Sequence, residues 1–187
     1  MRWESLFADL EAQWEAEISA GLEGEIAEAE RLERSGRLFV DRLRAHCGQE
    51  LILRLAGGER LRVAVIVVGS DWLAGTEGGA SVLIPLSAVA SAELLGDGVR
   101  EEPSRVRGRL GIGAPLRALL RDRAVVTVQG QRQELLADGL VVAVGRDHLD
   151  VALRVPGEVP RRGNLRGVRT VPFAAIATVR SEPNARL

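Results

Sequence analysis

Arginine is the residue type best placed to do chemistry in this sequence, because it occurs in two dense groups late in the chain. A guanidinium is permanently charged and offers several N–H donors in one plane, which suits phosphate groups. The candidates for a nucleic-acid-binding face are therefore Arg105, Arg107, Arg109, Arg161, Arg162, Arg166 and Arg169. Two alternatives stay open, a solvated arginine-rich loop and an intramolecular partner for the acidic N-terminal residues. No aromatic residue interleaves the arginines, so base stacking is unsupported.

Catalytic residue types are sparse and poorly arranged. His46 lies beside Cys47 at the end of a predicted helix, and adjacent residues do not normally orient a Cys–His dyad. His148 begins a predicted strand, which favours a packing or rim position. The single cysteine excludes an internal disulfide and a cysteine-cluster metal site. We predict no catalytic residue, no metal or cofactor site and no small-molecule substrate, and therefore no enzyme.

An amphipathic helix is predicted for residues 1–36. Apolar residues recur there at steps of three and four, with Glu and Ala between them. The heaviest part of this stripe needs burial, either on the rest of the chain or against a partner. The candidate contacts for a protein partner or a second copy are Trp3, Phe7, Leu10 and Trp14.

The charge of the chain is nearly balanced overall but unevenly spread. The formal net charge is -1, while residues 1–50 hold twelve acidic residues against six arginines and residues 99–187 hold nine against sixteen. An acidic arm on a basic body can self-associate or serve two partners. The sequence begins without the apolar run of a signal peptide and has no run of 18 apolar residues. We predict a cytoplasmic protein that does not enter a membrane.

Two motifs occur twice in the same order, which indicates a duplicated small domain. Residues 68–73 (VGSDWL) recur as 144–149 (VGRDHL), and 84–90 (IPLSAVA) recur as 171–177 (VPFAAIA). The offsets are 76 and 87 residues, so the second copy carries about 11 extra residues between its motifs.

Each copy is predicted to contain a short helix and five strands. The helices are predicted at 37–46 and 115–121. The predicted strands are 51–55, 61–68, 72–74, 81–84 and 90–94 in the first copy, and 125–128, 134–144, 148–155, 169–171 and 176–181 in the second. A single helical turn is expected between the last two strands of each copy. The domain boundaries are then 1–36 for the N-terminal helix, 37–95 for the first copy, 96–114 for a linker and 115–187 for the second copy.

This arrangement resembles the Sm-like/SH3-like small β-barrel superfamily in tandem. The motifs Val68-Gly69-x-Asp71 and Ile84-Pro85-Leu86-x-x-Val89, with their second copies, carry the resemblance. It implies a mainly β protein with two five-stranded small barrels that pack together. Sm-like proteins usually bind RNA through a basic segment between the fourth and fifth strands, but the matching dipeptides here, 85–86 and 172–173, are apolar. The chain as a whole is also similar to a group of uncharacterised actinobacterial proteins, which implies no activity.

The sequence therefore favours a non-enzymatic binding or adaptor protein. In this interpretation, the barrel surfaces and the N-terminal helix engage a protein partner or a second copy of the chain. The alternative is an RNA- or DNA-binding protein that uses the arginine-rich loop of the second barrel together with the arginines of the linker.

Overall fold

The computed structural model describes residues 28–94, 96–104, 106–154 and 165–181; for residues 107, 165 and 166 it describes the backbone. The chain separates into two compact units, of which the second begins at Phe39. In the first unit, residues 28–35 are helical (α1). Ion pairs at three- and four-residue spacing line this helix, including Arg34 with Glu30 at 3.0 Å. Leu32 is exposed there. The predicted apolar stripe at Trp3, Phe7, Leu10 and Trp14 lies outside the described residues.

The second unit is mainly β, and its described residues form ten strands in one antiparallel sheet. Helix α2 (Phe39–Ala45) precedes the first five strands, and helix α3 (Gly113–Arg121) precedes the last five. The first half contains β1 (Glu50–Leu55), β2 (Arg60–Val68), β3 (Trp72–Glu77), β4 (Ala80–Pro85) and β5 (Val89–Glu93). The second half contains β6 (Val125–Gly130), β7 (Leu135–Val144), β8 (His148–Arg154), β9 (Leu165–Pro172) and β10 (Ile176–Ser181).

The strands follow the same order in the two halves of the sheet. The sheet runs β5-β1-β2-β3-β4-β10-β6-β7-β8-β9, so each half has the same internal order. A 3-10 turn joins the last two strands of each half, at Leu86–Ala88 and Phe173–Ala175. The preceding prolines, Pro85 and Pro172, have nearly the same backbone angles. The offset of 87 residues between the IPLSAVA and VPFAAIA motifs therefore identifies equivalent positions around these turns.

Two apolar cores lie on the sheet, one for each half. Alternate residues of β1 and β2 point into the first core, where Leu51, Leu53 and Val63 are almost completely buried. The second core is built around α3 and β6–β8, with Leu116 and Val128 fully buried. Burial of such aliphatic side chains contributes roughly 1.5–3 kcal/mol each, so these cores stabilise the halves despite the scarcity of aromatic residues.

Several predicted boundaries differ from the structure. Helix α3 begins at Gly113, two residues before Pro115, and a proline in the first helical turn removes no internal hydrogen bond. Strand β9 runs from Leu165 to Pro172, which is longer than the predicted 169–171. Within the predicted linker, residues 107–109 form a 3-10 turn.

Candidate interaction surface

The two halves join where β4 of the first half pairs with β10 of the second. Leu83 lies opposite Val179, and Val82 lies opposite Arg180. β10 also pairs with β6 on its other side, so it is hydrogen-bonded to both halves. Most of both strands is buried at this junction. Side chains also cross it, because Leu83 packs in the second core and Ala177 in the first.

Arg180 holds the polar side of the junction. Its guanidinium donates to Glu77 at 3.0 Å and to Glu59 at 2.9 Å, both from the first half, and to Gln129 of β6. The three ion-paired side chains are 22–26% exposed, so the pairs are only partly screened by solvent. A basic residue of the second half is thus matched to acidic residues of the first.

The equivalent strands at the two ends of the sheet have a different environment. β5 is the counterpart of β10 and β9 is the counterpart of β4. In the part of the chain that the structure describes, β5 pairs with β1 alone and β9 with β8 alone. Ala90 and Ser91 of β5 are exposed, as are residues 167–170 of β9. Val168 is 61% exposed. Each end of the sheet therefore presents backbone donors and acceptors that another strand can pair with.

The two outer strands carry opposite charges. Glu93 of β5 lies 3.3 Å from Arg60, and more than half of each side chain is exposed. Arg169 of β9 is exposed and its guanidinium donates to the carbonyl of Leu136. Exposed contacts of this kind contribute little stability, so both charges remain available to a partner.

A turn in the first half receives the segment that precedes α3. Ser70 donates to the carbonyl of Leu110 from its hydroxyl at 3.1 Å, and the indole Nε1 of Trp72 donates to the same carbonyl at 2.8 Å. Trp72 is buried with Ile112 and Leu116 in the second core. The predicted linker therefore contributes to the join between the halves.

The matching turn in the second half has the same backbone with a more open side chain. The amide of Gly145 donates to the carbonyl of His148 at 2.9 Å, as Gly69 does to Trp72 at 2.8 Å. The His148 side chain is 40% exposed and its Nδ1 lies 2.8 Å from Asp147, which is 88% exposed. The hydrogen bond from His148 lowers the pKa of the Asp147 carboxyl below its ordinary value.

The structure places the predicted nucleic-acid residues in different parts of the chain. Arg109 is exposed beside the contact that Leu110 makes with the first half, and Arg169 lies on the outer strand of the second half. Arg107 is in the 3-10 turn and Arg166 is in β9. The remaining predicted arginines, Arg105, Arg161 and Arg162, lie outside the described residues.

The two histidines have different environments, since His46 is buried and the side chain of His148 is 40% exposed. His46 is buried and its Nδ1 lies 2.8 Å from the carbonyl oxygen of Arg42, which makes that nitrogen a donor. Burial raises the pKa of the neighbouring Cys47 thiol, although Arg100 and Arg44 act in the opposite direction. A raised pKa disfavours the nucleophilic thiolate. Within the described ranges, no group of three His, Cys, Asp or Glu residues is arranged to hold a metal ion.

A small cavity of about 200 Å³ lies in the first half, next to Cys47. Arg44 lines it but is already held by Asp41 at 2.5 Å and by the carbonyl of Gly69 at 2.8 Å. Its guanidinium therefore stabilises the wall of the cavity. The other lining residues are Ile66, Val67, Val68, Arg100, Glu101, Glu102 and Pro103.

Comparison with known proteins gives no relative for this chain: no family model, curated protein or solved structure matches it. Of the helices in the described residues, none combines the length and the apolar character needed to cross a bilayer.

The sequence analysis did not identify β5 and β9 as strands with one unpaired edge. Apolar and polar residues alternate poorly along β5 and β9. That each strand lacks a second neighbouring strand is a property of the complete sheet. A signal was nevertheless present in the alignment of the two copies. Glu93 occupies the position equivalent to Arg180, and Arg169 occupies the position equivalent to Val82. Charged residues are a common feature of strands at the edge of a sheet.

Proposed function

We propose that this chain is a non-enzymatic binding or adaptor protein that engages a protein partner or a second copy of itself. The supporting observation is the contrast between equivalent strands: β4 and β10 are largely buried at the junction, while β9 and β5 present exposed backbone edges. An extended segment can add to such an edge by main-chain hydrogen bonds, and side chains then select the partner.

The finer architecture belongs to the same proposal. Each half, with its helix, five strands and 3-10 turn, is a small barrel of the Sm-like/SH3-like kind, and the halves are joined through β4 and β10. The N-terminal helix supplies a second contact through Trp3, Phe7, Leu10 and Trp14.

Photo-crosslinking from single positions of the full chain tests the edge proposal in cells. A photoreactive phenylalanine analogue at Val168 of β9 or Ala90 of β5 should form protein adducts. The control position is Leu135, which is 59% exposed on β7 inside the sheet. Adducts at Val168 and Ala90 with few at Leu135 support the proposal, whichever protein they contain. Equal or absent adducts at all three positions contradict it.

The contribution of the N-terminal helix has its own test. Deletion of residues 1–35 should reduce the amount of partner captured or change the oligomeric state. If both stay the same in pull-down and light-scattering experiments, the helix has no part in the function.

RNA or DNA binding is the second candidate function, supported by the exposure of Arg109 and Arg169. Fluorescence anisotropy with a mixed-sequence single-stranded RNA measures it across a salt series. Binding by these arginines predicts an affinity that falls steeply with salt, with a slope of about -0.7 per phosphate neutralised. Absent or salt-independent binding excludes this candidate, as does unchanged affinity in Arg109→Ala and Arg169→Ala.

A further inference from the structure

The junction between the halves is a template for contact with a second copy of the chain. β5 is equivalent to β10, and β9 is equivalent to β4. The strands at the two ends of the sheet are therefore the counterparts of the two strands that pair at the junction. We propose that β5 of one copy pairs antiparallel with β9 of the next copy. This proposal rests on the proposed function and names the partner of the outer strands.

The register of the contact follows from the register inside the chain. Val179 lies opposite Leu83 and Arg180 lies opposite Val82 at the junction. The offset of 87 residues places Ala92 of β5 opposite Thr170 of β9, and Glu93 opposite Arg169. The next position places Leu94 opposite Val168, which covers an exposed apolar side chain.

Charge makes this register specific. Glu93 and Arg169 are opposite in sign and directly opposed, and such cross-strand pairs stabilise a sheet. Their present contacts, with Arg60 and with the Leu136 carbonyl, are exposed and easily exchanged or shared, because a guanidinium has five N–H donors. At the junction, the basic residue Arg180 lies on β10. In the proposed contact between copies, the acidic residue Glu93 lies on β5, which is the counterpart of β10. This reversal disfavours insertion of β5 in place of β10 in another copy, because Glu93 would then approach Glu59 and Glu77.

The contact is head to tail, since it joins two different edges. Each added copy leaves one edge of each kind free, so the assembly either closes into a ring or continues as a filament. The surface also differs from the junction in being more polar: His148 and Thr170 stand where Trp72 and Leu83 stand inside the chain. Weaker packing predicts an association that depends on protein and salt concentration rather than a permanent one.

Charge exchange on the full-length chain tests the proposal. Sedimentation velocity at low salt should show that the wild type associates with increasing concentration. Glu93→Arg places a second guanidinium against Arg169, and Arg169→Glu places two carboxylates together, so each single variant should raise the dissociation constant at least about tenfold. The double variant restores opposite charges and should recover affinity to within about threefold of the wild type. Arg62→Glu is the control, because Arg62 lies on β2 within the sheet and is 68% exposed.

Mixing the two single variants gives a sharper result. At equal concentrations, the guanidinium introduced by Glu93→Arg meets the carboxylate introduced by Arg169→Glu in the other variant. The alternative contact joins the two unaltered residues, Glu93 of one variant and Arg169 of the other. The mixture should therefore associate although each variant alone does not. Unaffected association in both single variants overturns the proposal, as does failure of both the double variant and the mixture.

The outcomes also separate this inference from the proposed function. A wild type that stays monomeric up to about 100 µM at low salt overturns self-association. The crosslinks from Val168 and Ala90 would then contain a different protein and still support an adaptor. Loss of both the association and the crosslinks removes both proposals. The Glu93→Arg variant also distinguishes RNA binding, which it should leave intact or strengthen while it weakens self-association.

Discussion

The turns at Trp72 and His148 have the same backbone hydrogen bonds but differ in how far their rings are buried. In both, a glycine amide donates across the turn, and the aspartate carbonyl accepts from the residue that begins the 3-10 turn, at 2.8 Å in each half. Trp72 is buried beneath residues 110–112, whereas the His148 side chain is 40% exposed. The local sequence thus determines the turn, while the neighbouring half determines whether its ring becomes part of a core.

Replacement of the two rings should give the largest difference in stability between the two turns. Trp72→Ala removes a buried ring and its hydrogen bond to Leu110, and we expect it to lower the free energy of unfolding by about 3–5 kcal/mol. His148→Ala removes a half-exposed ring and should cost less than about 1 kcal/mol. Urea unfolding followed by circular dichroism measures both. Similar costs would show that the two turns have equivalent environments.

The ion pairs at the junction give the next largest difference. Arg180→Ala leaves Glu59 and Glu77 close together without their shared cation, which should cost about 2–3 kcal/mol. The exposed pair of Arg62 with Glu50 is the control, and Arg62→Ala should cost about 0.5 kcal/mol or less. Thermal unfolding at several salt concentrations measures both variants. Equal small effects of Arg180→Ala and Arg62→Ala would show that the apolar residues, not the ion pairs, stabilise the junction.

A methyl group at the two turn glycines should produce a smaller contrast. A Cβ atom at Gly69 would overlap the indole of Trp72, and one at Gly145 would overlap the His148 ring. The indole is fixed by its contacts with the second half, so Gly69→Ala should cost about 1–2 kcal/mol. The more exposed imidazole can rotate away, so Gly145→Ala should cost less. The midpoints of urea unfolding decide the order, and a larger loss in Gly145→Ala contradicts this account.

The smallest effect concerns the titration of Asp147. Its pKa is lowered by the hydrogen bond from His148, so the carboxylate stabilises the fold above its ordinary pKa, and this contribution is lost as the pH falls through the lowered value. The change is confined to pH below about 4. Carboxyl NMR titration should show a higher Asp147 pKa in His148→Ala, which removes the donor, than in the wild type. An unchanged pKa would exclude the hydrogen bond as its cause.

The sequence predicted the strands well where apolar residues alternate or run together. β2 and β7 have long aliphatic runs, and their predicted and observed bounds agree within a residue. The continuation of β3 through Gly75 and Thr76 was missed, because the short run at its start gave no alternation that extends through a glycine. A Cβ atom at Gly75 would overlap the carbonyl of Ala64, so this glycine permits the close approach of β2.

The contacts between the halves could not be predicted in the same way. The pairing of β10 with β4 joins residues far apart in sequence, and its register depends on the complete sheet. The contact of Trp72 with Leu110 uses a backbone carbonyl, which every residue possesses and no side-chain pattern reveals. The candidate surface was missed for the same reason, since an edge strand is defined by the neighbour it lacks.

The position of β10 has a consequence for biosynthesis. Among the strands of the described residues it comes last in chain order, yet it lies between β4 and β6. A ribosome needs roughly 5–20 s to add the roughly one hundred residues that separate the ends of β4 and β10. During that interval the first half has left the exit tunnel with β4 unprotected. On a polysome, neighbouring nascent chains therefore display the same unpaired edge of β4 until β10 emerges.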